Sequence, residues 1–107
     1  MHSTLKRLSE IVAKANDVFD ACHKSVGTVL GIMDQALRKQ GINADAVTID
    51  CIQLNKKIVL LIHDEKPDSV DIALGNKEGD IHSSSTYDLN QLTQSTVVSI
   101  MEDNFLP

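Results

Sequence analysis

The chain has 107 residues, of which 42% are hydrophobic, and its formal net charge is −5. These values favour a single soluble globular domain that spans residues 1–107. Aromatic residues make up only 3%, and residues 42–107 carry eleven acids against four bases, so stacking sites and nucleic-acid binding are both disfavoured.

The ends and the cysteines of the chain indicate its compartment. No apolar run approaches the length of a membrane span, and residues 1–10 lack the pattern of a signal peptide. The two cysteines stand outside any CxxC arrangement. We therefore expect a cytoplasmic protein with reduced thiols, without a membrane partner and without a cofactor.

The first predicted element is an amphipathic helical region over residues 3–41. Apolar residues recur every three or four positions from Leu5 to Leu37, as on one face of an α-helix. Gly41 suits the position that follows a last helical turn. Gly27 interrupts the pattern, because glycine costs about 1 kcal/mol relative to alanine inside a helix. The pattern therefore predicts two helices or one kinked helix.

The next predicted element is a four-stranded antiparallel meander over residues 46–86. The segments AVTIDCIQL, KIVLLIH, SVDIALG and IHSSST show strand patterning and are separated by turn residues. A final helix is predicted over residues 93–105, with Val97, Val98, Met101 and Phe105 as its apolar stripe. The order predicts an α+β domain in which the C-terminal helix packs on one sheet face.

Turn positions predict how the strands pair. A two-residue turn at Asn55-Lys56 sets the first hairpin, and matching of apolar residues sets the others. The expected cross-strand pairs include Ile49–Ile62, Asp50–Leu61, Cys51–Leu60, Ile52–Val59, Leu60–Ile72 and Leu74–Ile81. This register places an apolar strip on the sheet face opposite the core, formed by Ile52, Val59, Leu61 and Ala73.

That strip carries the leading functional hypothesis. A single C-terminal helix and one helical region can cover one sheet face well, so the opposite face stays open. We expect a non-enzymatic protein that acts through association, with the strip as its interface. The expected partners are a second copy of the chain, as a symmetric homodimer, or another protein that binds the acidic half in an adaptor or inhibitor role.

An alternative hypothesis places a small-ligand or divalent-metal site, with hydrolytic chemistry, on the same face. Four ionisable residues are predicted there, namely Asp50, His63, Asp71 and His82. Imidazole and carboxylate groups bind metals and exchange protons. No HExxH, HxH or CxxC spacing accompanies them, so no catalytic or metal-binding residue is assigned.

Other local motifs favour structural roles. Cys22 lies in the apolar helical stripe and Cys51 in a strand, and both are expected to be buried. The Gly27–Gly31 pair predicts a close helix–helix or helix–sheet contact. The run from Ser83 to Thr86 predicts an exposed, polar edge strand. The loop that follows His63 contains Asp, Pro and Ser, which are ordinary turn residues.

Overall fold

The computed structural model describes residues 3–24, 26–76, 78 and 80–106, with the backbone only at Ile52. Within these residues the chain forms three α-helices, one short 3-10 helix (Ile52–Leu54) and five strands. The α-helices and strands are α1 (Ser3–Cys22), β1 (Val29–Met33), α2 (Ala36–Lys39), β2 (Ala44–Cys51), β3 (Lys56–His63), β4 (Ser69–Gly75), β5 (Ile81–Asp88) and α3 (Gln94–Phe105). The strands form one antiparallel sheet in the order β1-β2-β3-β4-β5. The predicted α+β class is confirmed, but the sheet has one strand more than predicted; the single-domain organisation stays a prediction.

The extra strand, β1, lies inside the region that was predicted to be helical up to residue 41. α1 ends at Cys22, and β1 pairs with β2 so that Leu30 lies opposite Ile49. Its sequence, VLGIM, is apolar on both faces and therefore lacks the alternation that normally identifies a strand. Gly31 and the β-branched Ile32 disfavour a helix, and the open edge of β2 supplies the hydrogen bonds that make the segment extended.

One face of the sheet, here called the core face, is covered by α1 and α3. α1 buries residues spaced by three and four positions along one stripe, namely Leu5, Leu8, Val12, Ala15 and Phe19. α3 adds Val97, Met101 and Phe105, and its N-terminus is capped by the Thr93 hydroxyl, which accepts a hydrogen bond from the Thr96 N–H at 3.2 Å. The predicted C-terminal helix is confirmed, and so are three residues of its stripe; the fourth, Val98, is partly buried against the core.

The register of the β2–β3 hairpin differs from the prediction by four residues. Ile52–Leu54 forms a 3-10 turn and Asn55 adopts a positive φ of 51°, so Asp50 lies opposite Lys57 rather than Leu61. The predicted pairing of Ile52 with Val59 is therefore wrong. Because the shift is an even number of residues, each side chain of β3 stays on its predicted face.

The predicted registers of the β3–β4 and β4–β5 hairpins have different outcomes. The predicted pairing of Leu60 with Ile72 is confirmed. The predicted pairing of Leu74 with Ile81 is wrong, because a register irregularity beside Gly75 places Ile81 opposite Gly75 and Ser83 opposite Leu74. A bulge of this kind moves a side chain to the other face of the sheet. Ile81 consequently leaves the core face and is 55% exposed.

Candidate functional site

The sheet face opposite the core, here called the second face, carries the predicted apolar strip in part. Val59 lies between Thr48 and Ala73, and Leu61 lies between Ala46 and Asp71. Val59, Leu61 and Ala73 are each half-buried, whereas the alternate residues of β3 on the core face are fully buried. These three residues of the strip are thus partly open. The fourth, Ile52, lies in the 3-10 turn, and its side chain lies outside the described residues.

Three further apolar side chains turn this strip into a groove. Met33 at the end of β1 and Leu37 of α2 stand on one side, and Ile81 stands on the other. The groove has a volume of about 360 Å³, and Lys57, Gly75 and Asn76 complete one end of it. The second face therefore presents an apolar depression rather than a flat sheet surface.

Ion pairs attach α2 to the sheet beside this groove. The Arg38 guanidinium donates to both carboxylate oxygens of Asp45, at 3.1 and 3.0 Å, and to both of Asp64, at 2.8 Å each. These hydrogen bonds, first those with Asp64 and then those with Asp45, raise the pKa of Arg38 above its ordinary value. A guanidinium stays protonated in proteins, so the four hydrogen bonds join a permanent cation to two carboxylates. Asp64, whose role the sequence left open, thus holds α2 in place.

The turn after α2 has the hydrogen bonds of a Schellman motif. The N–H of Ile42 donates to the Leu37 carbonyl, and the N–H of Gly41 donates to the Arg38 carbonyl, both at 3.0 Å. Gly41 has a φ of +85°, a conformation that glycine adopts at little cost. The predicted terminating role of Gly41 is confirmed, although the helix that it ends has only four residues.

At the other end of the second face, two of the four predicted ionisable residues come together. His63 Nε2 lies 3.4 Å from Asp71 Oδ2, and the Thr86 hydroxyl donates to Asp71 Oδ1 at 2.8 Å. The imidazole side chain is 44% exposed and the carboxylate 37%. With Ser69 and Lys66 nearby, they line a polar hollow of about 300 Å³.

The remaining two ionisable residues lie elsewhere. Asp50 lies beside Lys57, with 3.8 Å between the carboxylate and the ammonium group, and His82 is exposed next to the β5 irregularity. The register shifts described above explain both departures. Across residues 3–24, 26–76, 78 and 80–106, no group of three His, Cys, Asp or Glu side chains is arranged to hold a metal ion.

The local motifs have mixed outcomes. Cys51 is buried as predicted, but Cys22 is exposed because α1 ends there. The helix contact predicted for the Gly27–Gly31 pair is wrong: Gly31 lies in β1, where a Cβ would be 2.7 Å from the Thr48 hydroxyl oxygen of β2, and nothing lies within 4 Å of a Cβ at Gly27. β5 is an edge strand whose residues from 81 to 86 are all exposed, as predicted for its hydroxyl run.

Sequence reasoning missed the walls of the groove. Met33 and Leu37 were assigned to a helical stripe, and Ile81 was assigned to the core face. For Leu37, the signal was Gly41, which follows a short apolar segment. A glycine in that position commonly follows the last turn of a helix. For Ile81, the sequence offered only a turn signal at Asn76, and that signal does not specify register; in the structure the Asn76 side chain accepts hydrogen bonds from the Glu78 and Asp80 N–H groups.

No family model, curated protein or solved structure matches the chain. In the part of the chain that the structure describes, no helix is both long and apolar enough to cross a bilayer. The candidate site is therefore interpreted from its own geometry, as an apolar groove with a polar hollow near one end.

Proposed function

We propose that this protein is non-enzymatic and acts through association, and that the groove of the second face binds a basic, amphipathic helical segment of another protein. The observation that carries the proposal is the apolar groove between Leu37 and Ile81, with half-buried Val59 and Leu61 at its base. Apolar grooves of this kind are common sites of protein association.

The position of the groove favours a helix as the occupant. Its base is formed by β2, β3 and β4, which are interior strands whose backbone groups are already used in the sheet. An added strand would need a free sheet edge, whereas a helix binds through a stripe of apolar side chains. The groove offers side-chain contacts of that type.

Charge favours a basic partner over a second copy at this face. Residues 42–107, which include the base of the groove, have a net charge of −7. Acids outnumber bases around this face: Asp50 and Asp71 belong to it with Lys57, and the loop that follows β3 adds Glu65 and Asp68 with Lys66. Two such faces placed together would repel each other, whereas lysine or arginine beside an apolar stripe would be attracted.

Binding of two model peptides tests this proposal. One is a helical peptide of leucine and lysine with leucine at helical spacing, and the other has glutamate in place of lysine. We expect the lysine peptide to shift the NMR signals of Val59, Leu61 and Ala73 and to bind more tightly than the glutamate peptide. NMR shifts at residues outside the groove would contradict the proposed binding site. Equal binding of both peptides would contradict the charge argument.

A matched pair of variants locates the binding. Leu61→Gln should weaken binding of the lysine peptide roughly tenfold, about 1.4 kcal/mol, because it places an amide at the base of the groove. Leu54→Gln is the control, since Leu54 is 47% exposed in the 3-10 turn and does not line the groove. Equal affinities of the two variants would contradict the proposed site.

A second candidate function is the binding of a small polar ligand at the hollow beside His63. It is supported by the convergence of His63, Asp71 and Thr86 on that hollow. Titration with inorganic phosphate and, separately, with Zn²⁺ should then shift the His63 ring signals, and His63→Gln with Asp71→Asn should abolish the response of the remaining hollow residues. An unchanged spectrum would remove this candidate.

A further inference from the structure

β1 forms an edge of the sheet and carries large apolar side chains that are left open. Val29 is 51% exposed, Leu30 36% and Ile32 47%. No strand other than β2 pairs with β1 in the residues that the structure describes. Alternate residues of an edge strand direct their N–H and C=O groups away from the sheet, so an apolar edge is a template for an added strand.

The opposite edge shows how this sheet otherwise protects itself. β5 exposes a run of hydroxyl side chains from Ser83 to Thr86, and polar residues of this kind discourage edge-to-edge pairing. β1 carries no charged residue within its five positions. The two edges therefore differ in chemistry, and β1 is the one suited to association.

We infer that β1 pairs with β1 of a second copy, antiparallel about a two-fold axis at Gly31, to form a ten-stranded sheet. The sequence VLGIM is self-complementary in this arrangement, because two apolar residues stand on each side of the glycine. Leu30 then lies opposite the second copy's Ile32 on the core face, and Val29 lies opposite its Met33 on the second face. A closed two-fold pairing satisfies both free edges at once.

Two further features favour a second copy as the occupant. A hollow of about 530 Å³ lies between α1 and β1; Ala13, Leu30, Ile32 and Val47 give it an apolar lining, and α1 also contributes Ser9 and Glu10. In the two-fold arrangement the same apolar residues of the second copy border it, so the two hollows meet. Charge opposes this contact less than it would oppose a contact between two second faces, since residues 1–41 have a net charge of +2, in contrast to −7 for the rest of the chain.

The first test is the solution mass, measured by light scattering after size exclusion. The wild-type protein should have twice the chain mass of 11.7 kDa. Ile32→Lys should reduce it to the monomer mass, because a charge directed inward at a sheet edge blocks pairing. Leu54→Lys is the matched control, with the same exposure of 47%, and should stay dimeric.

Disulfide trapping tests the register, in a Cys22→Ser background that removes the exposed native thiol. Val29→Cys with Met33→Cys should give a covalent dimer under mild oxidation, because directly opposed residues lie about 4.5–5.5 Å apart at Cα, within the range of a disulfide. Each single variant should stay uncrosslinked, since like residues of the two copies are displaced by about 13 Å along the strand.

Along an antiparallel ladder, the Cα–Cα distance between opposed residues alternates between a shorter and a longer value. The double variant with Leu30→Cys and Ile32→Cys is therefore tested alongside the first. A covalent dimer in at least one double variant, together with a monomeric Ile32→Lys, supports the inference. A monomeric wild-type protein, as expected if another protein's strand occupies β1, would overturn it. A dimer abolished by Leu61→Gln but kept by Ile32→Lys would also overturn it, and would place self-association at the groove.

Discussion

The two faces of the sheet differ in what covers them, and β3 shows the difference within adjacent residues. Leu60 points to the core face, is 1% exposed and packs beneath α1 and α3. Leu61 points to the second face, is half-buried and lines the groove beside α2. The core face is covered by helices of twenty and twelve residues, whereas the helix beside the second face has four. Burial is therefore concentrated on the core face, and the second face stays partly open.

Truncation of the two leucines gives the sharpest measure of this difference. Leu60→Ala should lower the free energy of unfolding by about 2–5 kcal/mol, because it leaves a cavity in a closely packed core. Leu61→Ala should lower it by about 1 kcal/mol, since part of that side chain already contacts solvent. Urea denaturation measures both. Equal losses would mean that the second face is packed as fully as the core.

The ion pairs beside the groove should contribute the next largest effect. Asp45 is 4% exposed and accepts two hydrogen bonds from Arg38, so Asp45→Asn should cost about 1–3 kcal/mol of unfolding free energy. Asp64→Asn is the comparison, because the Asp64 side chain is 42% exposed and should cost less than about 1 kcal/mol. Thermal unfolding compares them, and the reverse order would contradict the role given to burial.

The N-terminal cap of α3 should contribute less to the free energy of unfolding than burial of Leu60 on the same face. Thr93→Ala removes the acceptor for the Thr96 N–H and should cost about 1 kcal/mol. Ser95→Ala is the control, as Ser95 is an exposed residue within the first turn, and its effect should stay within about 0.5 kcal/mol. The same denaturation experiment separates the two, and equal effects would argue against the cap.

The polar hollow should contribute least to stability. His63→Gln removes the imidazole that lies 3.4 Å from the Asp71 carboxylate, and both side chains are more than a third exposed. Exposed pairs of this kind contribute little, so we expect a change within about 0.5 kcal/mol in urea denaturation. A loss above about 2 kcal/mol would instead identify the His63–Asp71 pair as structural and would weaken its assignment to ligand binding.

Elements with a clear period were predictable from the sequence. The stripe of α1, the stripe of α3 and the Leu60–Ile72 pairing follow from spacing of apolar residues, and the structure has them as predicted. Val59, Leu61 and Ala73 were placed on the correct face because side chains of a strand alternate strictly. His63 and Asp71 were also placed on this face, and they lie 3.4 Å apart in the structure, whereas the ligand site itself stays a prediction.

The remaining features depended on geometry that spacing does not encode. β1 is apolar on both faces, so helix and strand patterns fit it equally until β2 provides a partner. The 3-10 turn at Ile52–Leu54 and the irregularity beside Gly75 changed two registers, which separated Asp50 and His82 from the other ionisable residues.

The sequence by itself thus determined the fold class, the helical stripes and the face on which each central strand places its side chains, because these follow from local periodicity. Only the tertiary structure decided the fifth strand, the registers of two hairpins and the groove between Leu37 and Ile81. These features depend on which segments of the chain meet in space. Turn geometry and pairing at the sheet edge select that arrangement, and local periodicity does not specify it.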